Sequence, residues 1–110
     1  MVRAVLAWRE ITIPDGSPAV AVARLREEAG GAFWTLVRFP AGWSRPITGH
    51  YLVDEEFWVL EGDLVMNGVT YRPDQGDYLR AGTPRSDTRS ETGALAIARF
   101  AGPATWVRTD

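Results

Sequence analysis

Along the chain, short apolar runs alternate with clusters of turn-forming residues, and no apolar periodicity supports a helix longer than about two turns. The pattern predicts strands over Val2–Trp8, Ala19–Arg26, Ala32–Phe39, Thr48–Val53, Phe57–Glu61, Leu64–Met66, Val69–Arg72, Tyr78–Arg80, Ala94–Phe100 and Thr105–Arg108. Pro14-Asp15-Gly16, Ala29-Gly30-Gly31 and Pro40-Ala41-Gly42 separate them. Asn67-Gly68 is the sharpest local signal. Both central residues of a type I′ turn need positive φ, which Asn-Gly tolerates best, so Leu64–Met66 and Val69–Tyr71 read as the arms of a tight hairpin. Glu27-Glu28 would support a helical turn that Gly30-Gly31 ends at once. Residues 32–39 and 94–100 alternate imperfectly, as strands do when both faces are covered or when they line a closed barrel. The pattern therefore predicts an all-β barrel or sandwich.

Composition narrows this further. With 110 residues, 45% of them hydrophobic, the chain suits one domain, 1–110, with a real core. Five Trp, four Phe and three Tyr fit a pleated, tightly packed β-protein. The net charge of −2 offers no electrostatic case for nucleic acid. All 12 basic residues are Arg, so no lysine is present to form a Schiff base. The absence of Cys excludes disulfides, zinc-thiolate sites and cysteine nucleophiles. The apolar run near the N-terminus is too short for a signal peptide or a membrane span, so a cytoplasmic protein without membrane contact is expected.

The stretch from Gly42 to Gly62 carries the chemistry. Gly42 is followed by five residues, then Thr48-Gly49-His50, four residues, Glu55, six residues and Gly62. This frame resembles the first motif of the cupin superfamily: Gly, five residues, His-x-His, three or four residues, Glu, six residues, Gly. The second cupin motif is weaker here. Its frame falls on Asp74, Arg80, Gly82, Arg85 and Arg89, of which only Gly82 is retained. The resemblance covers roughly residues 32–100 and implies a single-domain cupin β-barrel of the double-stranded β-helix or jelly-roll type. In the family, the histidines and the glutamate point into the barrel and meet at one metal.

The four ligand positions implied by the resemblance hold Thr48, His50, Glu55 and Arg85. Threonine is a poor transition-metal ligand and arginine is a permanent cation. A metal would keep only His50 and Glu55, so no cofactor is expected, with a divalent metal as the minor alternative. His50 is either a general acid or base or a leftover ligand position hydrogen-bonded in the barrel. Glu55 is either a functional group, orienting His50 or acting as a base in its own right, or the carboxylate of a Glu55–Arg85 ion pair closing the pocket. Arg85 and Thr48 are candidates for holding an anion or a developing oxyanion. Trp43, in the approach loop Ala41–Pro46, is the candidate lid residue; Trp58 and Tyr78 are further candidate ligand contacts, and core packing is the ordinary role for such aromatics. Tyr51, on the opposite face from His50, is expected in the core.

These residues imply a barrel that binds a small anionic or carbonyl-bearing organic ligand. One form is a metal-independent isomerase, cyclase or lyase using His50 and Glu55. The alternatives are a non-catalytic binding or sensing cupin, and a metal-dependent dioxygenase with an atypical ligand set. The resemblance also implies a homodimer, with Val2–Trp8 and Trp106-Val107 as candidate pairing segments.

Overall fold

The computed structural model describes residues 5–109. Among the described residues there are twelve strands: β1 (Trp8–Ile11), β2 (Val20–Glu27), β3 (Phe33–Phe39), β4 (Trp43–Arg45), β5 (Gly49–Tyr51), β6 (Glu55–Gly62), β7 (Leu64–Met66), β8 (Val69–Tyr71), β9 (Gly76–Leu79), β10 (Thr88–Ser90), β11 (Ala94–Phe100) and β12 (Trp106–Arg108). One 3-10 turn, Ala29–Gly31, stands where the Glu27-Glu28 turn was expected. Among the described residues no helix is long and apolar enough to cross a membrane.

The strands form a six-stranded sheet in the order β1-β2-β3-β11-β6-β9, a four-stranded sheet β4-β10-β7-β8 and a two-stranded ribbon β12-β5, antiparallel throughout. One buried cluster joins them: Val22 and Phe57 come from the large sheet, Trp43 and Met66 from the second, and Tyr51 from the ribbon. This is the jelly-roll barrel of a cupin. Asn67 and Gly68 have φ of 52° and 76°, and β7 and β8 pair as the Asn-Gly hairpin requires.

Three sequence expectations are corrected. The first strand is Trp8–Ile11 rather than Val2–Trp8; residues 5–7 are not in a strand, and 1–4 lie outside the described residues. Trp43–Arg45 and Thr88–Ser90, read as loops, pair with each other as strands. Each is only three residues long and carries an arginine, so neither has an apolar pattern to read.

Strand β11 shows how the barrel keeps internal space. Its inward positions before Phe100 are Ala94, Ala96 and Ala98, all buried, while the larger Leu95 and Ile97 face outward and are half-buried. Small side chains thus line the middle of the central strand. Gly62 ends β6 with φ of 72°, and a Cβ there would lie 2.0 Å from the Gly93 carbonyl oxygen. Only glycine fits this crossing of two chain segments.

Candidate functional site

A cavity of about 510 Å³ lies inside the barrel. Most of its wall is apolar, with Phe33, Phe57 and Phe100 on the large sheet and Leu64 and Met66 opposite. Ala96 and Ala98 leave the space between them. Its charged lining comes from Arg45 and Glu55 in the interior and from Arg9 and Arg24 on β1 and β2.

Strand β4 turns Trp43 and Arg45 inward, and the Ser44 backbone between them pairs with that of Ser17. Arg45 is only 4% exposed. Its Nη1 donates to the Tyr51 hydroxyl at 3.0 Å, and its guanidinium lies 3.8 Å from the Trp106 ring centroid. Its Nε has no hydrogen-bond partner among the described residues, and no carboxylate is bonded to it. Thr88, directly across from Arg45 on β10, also lines the cavity; its Oγ1 and the Trp43 Nε1 are likewise buried without a partner.

Glu55 enters the barrel at the start of β6. The preceding Asp54 fixes that start by accepting the Tyr78 hydroxyl at 2.6 Å and the Ala81 N–H at 2.7 Å. These two donors hold the Asp54 carboxyl below its ordinary value, and Asp54 in turn raises the Tyr78 phenol. Glu55 and Arg85 are 8% and 3% exposed and form a buried ion pair, the Arg85 Nη1 donating to Glu55 Oε1. Arg85 is carried there by backbone bonds to Gly49, 2.8 and 3.2 Å long. Burial pushes the Glu55 carboxyl above its ordinary value, with Arg85 and then Arg45 pulling against it. Nearby, burial and then Asp77 push the Tyr71 phenol up to about 12.

Tyr51 stands between the two arginines. Its hydroxyl accepts from Arg45, while the Arg85 guanidinium lies 4.7 Å from its ring centroid. Among the described residues the buried charges are Arg45, Arg85 and Glu55. Two cations and one anion leave the interior with one excess positive charge.

The structure thus joins Glu55 to Arg85 and sets Trp43 on the cavity wall, but it places the other sequence candidates outside. His50 does not line the cavity; its Nδ1 lies 3.4 Å from the Thr109 Oγ1, on the outside of the ribbon. Thr48 bonds Ser86. Trp58 and Tyr78, 48% and 54% exposed, lie outside the cavity. For His50 the cause is the phase of β5; Trp58 faces outward because it alternates with the inward Glu55, Phe57 and Val59 of β6. His50 and Tyr51 do point to opposite faces, but the inward one is Tyr51. The inward pair before Glu55 is then Gly49 and Tyr51, three residues ahead of it, a spacing the cupin frame also allows. Arg45 and Tyr51 were the functional candidates missed. The only sequence signal for Arg45 is its two-residue spacing from Trp43.

These residues do not fit the divalent metal that the cupin frame implies. Among the described residues Glu55 is the only acidic one lining the cavity and is committed to Arg85; no imidazole lines it, and Arg45 stands beside it as a fixed cation. Among the described residues no three His, Cys, Asp or Glu side chains group as metal ligands.

No protein-family model and no curated protein matches the sequence. Solved structures do match its fold. A putative acetylacetone dioxygenase from Methylibium petroleiphilum is similar with a TM-score of 0.80 at 17% identity, covering 97% of this chain and 81% of that one. An RmlC-like cupin protein from Ralstonia eutropha matches at TM-score 0.74 and 17% identity, over 96% and 68% of the two chains. A predicted oxalate decarboxylase from Thermotoga maritima matches at 0.72 and 19%, over 86% and 91%. Strand order, buried core and these neighbours together identify the fold as that of a small RmlC-like cupin.

Proposed function

We propose that the barrel binds a small organic monoanion, an apolar body carrying one carboxylate or enolate, with Arg45 as its anchor. The observation that carries this reading is the state of Arg45: it is buried on the cavity wall, hydrogen-bonded to one neutral hydroxyl and, among the described residues, to no carboxylate, although Glu55 and Asp15 both feel its charge. A buried guanidinium calls for a charged partner. Cations outnumber carboxylates both among the buried charges and along the cavity wall, which favours an anion and disfavours a metal cation. The apolar lining accepts a hydrocarbon or aromatic body, and the volume lies within the range of small-molecule pockets. The unpaired Trp43 N–H on the same wall likewise calls for an acceptor. Two of the neighbours, described as a putative acetylacetone dioxygenase and a predicted oxalate decarboxylase, carry names of small-molecule chemistry.

Isothermal titration and thermal shift test the proposal with hexanoate, phenylacetate and their amides. The monocarboxylates should raise the melting temperature, because they bind only the folded state. Arg45→Met should weaken their binding about tenfold or more, the scale of a lost charged hydrogen bond. Equal affinity for acid and amide, or undiminished affinity in Arg45→Met, would overturn it.

A catalytic form of the same reading rests on Glu55, whose carboxyl is raised by burial and lines the cavity. It would move a proton at a carbon next to a carbonyl, without His50. Exchange of that hydrogen for deuterium, absent in Glu55→Gln, is its signature; no exchange leaves binding alone.

A further inference from the structure

Strand β12 stands apart from the two larger sheets. It pairs only with β5, yet it brings one side chain against the anion anchor. The Trp106 indole lies flat enough over Arg45 to put its centroid 3.8 Å from the guanidinium carbon, and it meets the Tyr51 ring edge-on at 5.2 Å. Its seat is built for it. A Cβ on Gly49 would fall 2.3 Å from Trp106 Cζ2, so the indole fits only because residue 49 has no side chain. Its other end is held as well: Nε1 donates to Asp15 Oδ2 at 2.9 Å, and Asp15 Oδ1 accepts from Arg108 Nη2 at 2.5 Å. Asp15 belongs to the turn whose Ile13 and Pro14 line the cavity.

We propose that Trp106 is a positioning residue for anion recognition: its ring face and the Tyr51 hydroxyl together fix the Arg45 guanidinium toward the cavity, and Asp15 fixes the ring. The inference rests on the binding role given to Arg45 above. The physical case is direct. A guanidinium on a flexible side chain must be ordered before it can hold a carboxylate, and one hydrogen bond does not set its plane. An aromatic face within contact distance does, and it supplies no competing negative charge that would close the site to a ligand. A carboxylate in the place of Trp106 would hold Arg45 more strongly but would cancel its charge.

The test reads selectivity rather than affinity alone. Hexanoate and hexanamide are titrated into the full chain and into Trp106→Leu, Trp106→Phe and Trp106→Met. Trp106→Leu should lower hexanoate affinity about tenfold while hexanamide changes little, so the acid-to-amide ratio collapses. Trp106→Phe, which keeps an aromatic face, should restore most of the ratio. If Trp106→Leu does not fold, Trp106→Met carries the test: a longer side chain without an aromatic face, and with no change of charge, should lower the ratio in the same direction. An unchanged ratio in whichever of these two variants is read, or acid and amide weakening together, would overturn the positioning role. Arg45→Met separates the two proposals: if it leaves hexanoate binding intact, the anchor itself is refuted, whereas a loss there with an unchanged ratio at Trp106 refutes this inference alone.

Discussion

Replacing Arg85 with methionine should make the stability of the barrel depend on pH in a specific sense. Glu55 is buried and its carboxyl already sits above its ordinary value because burial outweighs the pull of Arg85 and Arg45. Arg85→Met removes the nearer of these cations, so the folded-state pKa rises further while the unfolded value does not change. A carboxyl with a raised folded-state pKa stabilises the fold fully below its unfolded pKa and loses that contribution as pH rises through the folded value. The deficit of the variant relative to the parent should therefore be small near pH 5 and grow toward pH 8. One proton sets a ceiling of about 1.4 kcal/mol per pH unit. Stranding one partner of a buried pair costs about 3–5 kcal/mol. These two figures agree if the loss spreads over about three pH units. Urea unfolding at half-unit steps from pH 5 to pH 8 measures it, and the double variant Glu55→Gln/Arg85→Met serves as the control without the titrating group. A deficit that is the same at every pH, or a pH slope that survives in the double variant, would refute the reasoning.

Other outcomes follow from the same geometry. His50→Ala should change the affinity for monocarboxylates less than about twofold, since the imidazole lies outside the cavity; a tenfold loss in titration would return it to the site. Ala96→Leu should project a larger side chain into the cavity and abolish ligand-induced stabilisation while the free protein keeps a cooperative melt, read by calorimetry. Gly62→Ala should cost about 1–3 kcal/mol in urea unfolding, because φ of 72° and the Gly93 carbonyl both oppose a Cβ. We propose that the homodimer implied by the resemblance uses the outer face of the large sheet. There Trp8, Leu36, Ile97 and Trp58, with the buried Ala23 between Trp8 and Leu36, stand in register across five strands. The neighbouring Arg38–Glu61 and Arg99–Glu28 pairs leave little net charge to repel an identical face. Light scattering should show a dimer that Trp58→Glu reduces to monomer, and a monomeric parent would exclude it.

The fold was legible because its signals are local. Asn67-Gly68 needs one backbone geometry, and the Gly42–Gly62 spacing reflects turns that only certain lengths close. The Glu55–Arg85 pair was legible too, as one of two readings of residues set in that frame. The cavity's contents were not. A one-residue uncertainty in the phase of β5 exchanges His50 for Tyr51, since successive side chains of a strand face opposite ways. Arg45 gave less warning still. An arginine between Ser44 and Pro46 reads as solvated loop, and its burial depends on Trp106, Tyr51 and Thr88, which arrive from three other strands. Strand β11 misleads in the opposite direction: its bulkiest aliphatic residues face out, and alanines face the barrel.

The place of β11 in the large sheet also bears on how the barrel comes into being. It lies between β3 and β6, bonded along its length to both, although it follows them by more than 30 residues in the chain. Until it inserts, two inner strand edges stand open and the halves of the sheet have no common backbone. Pairings at such separations close slowly, because the loop entropy is lost before the contacts form. The rate-limiting event in folding is thus expected to be the insertion of this one strand. Its alanines arrive in the same event, so the cavity should appear together with the sheet rather than be hollowed out afterward.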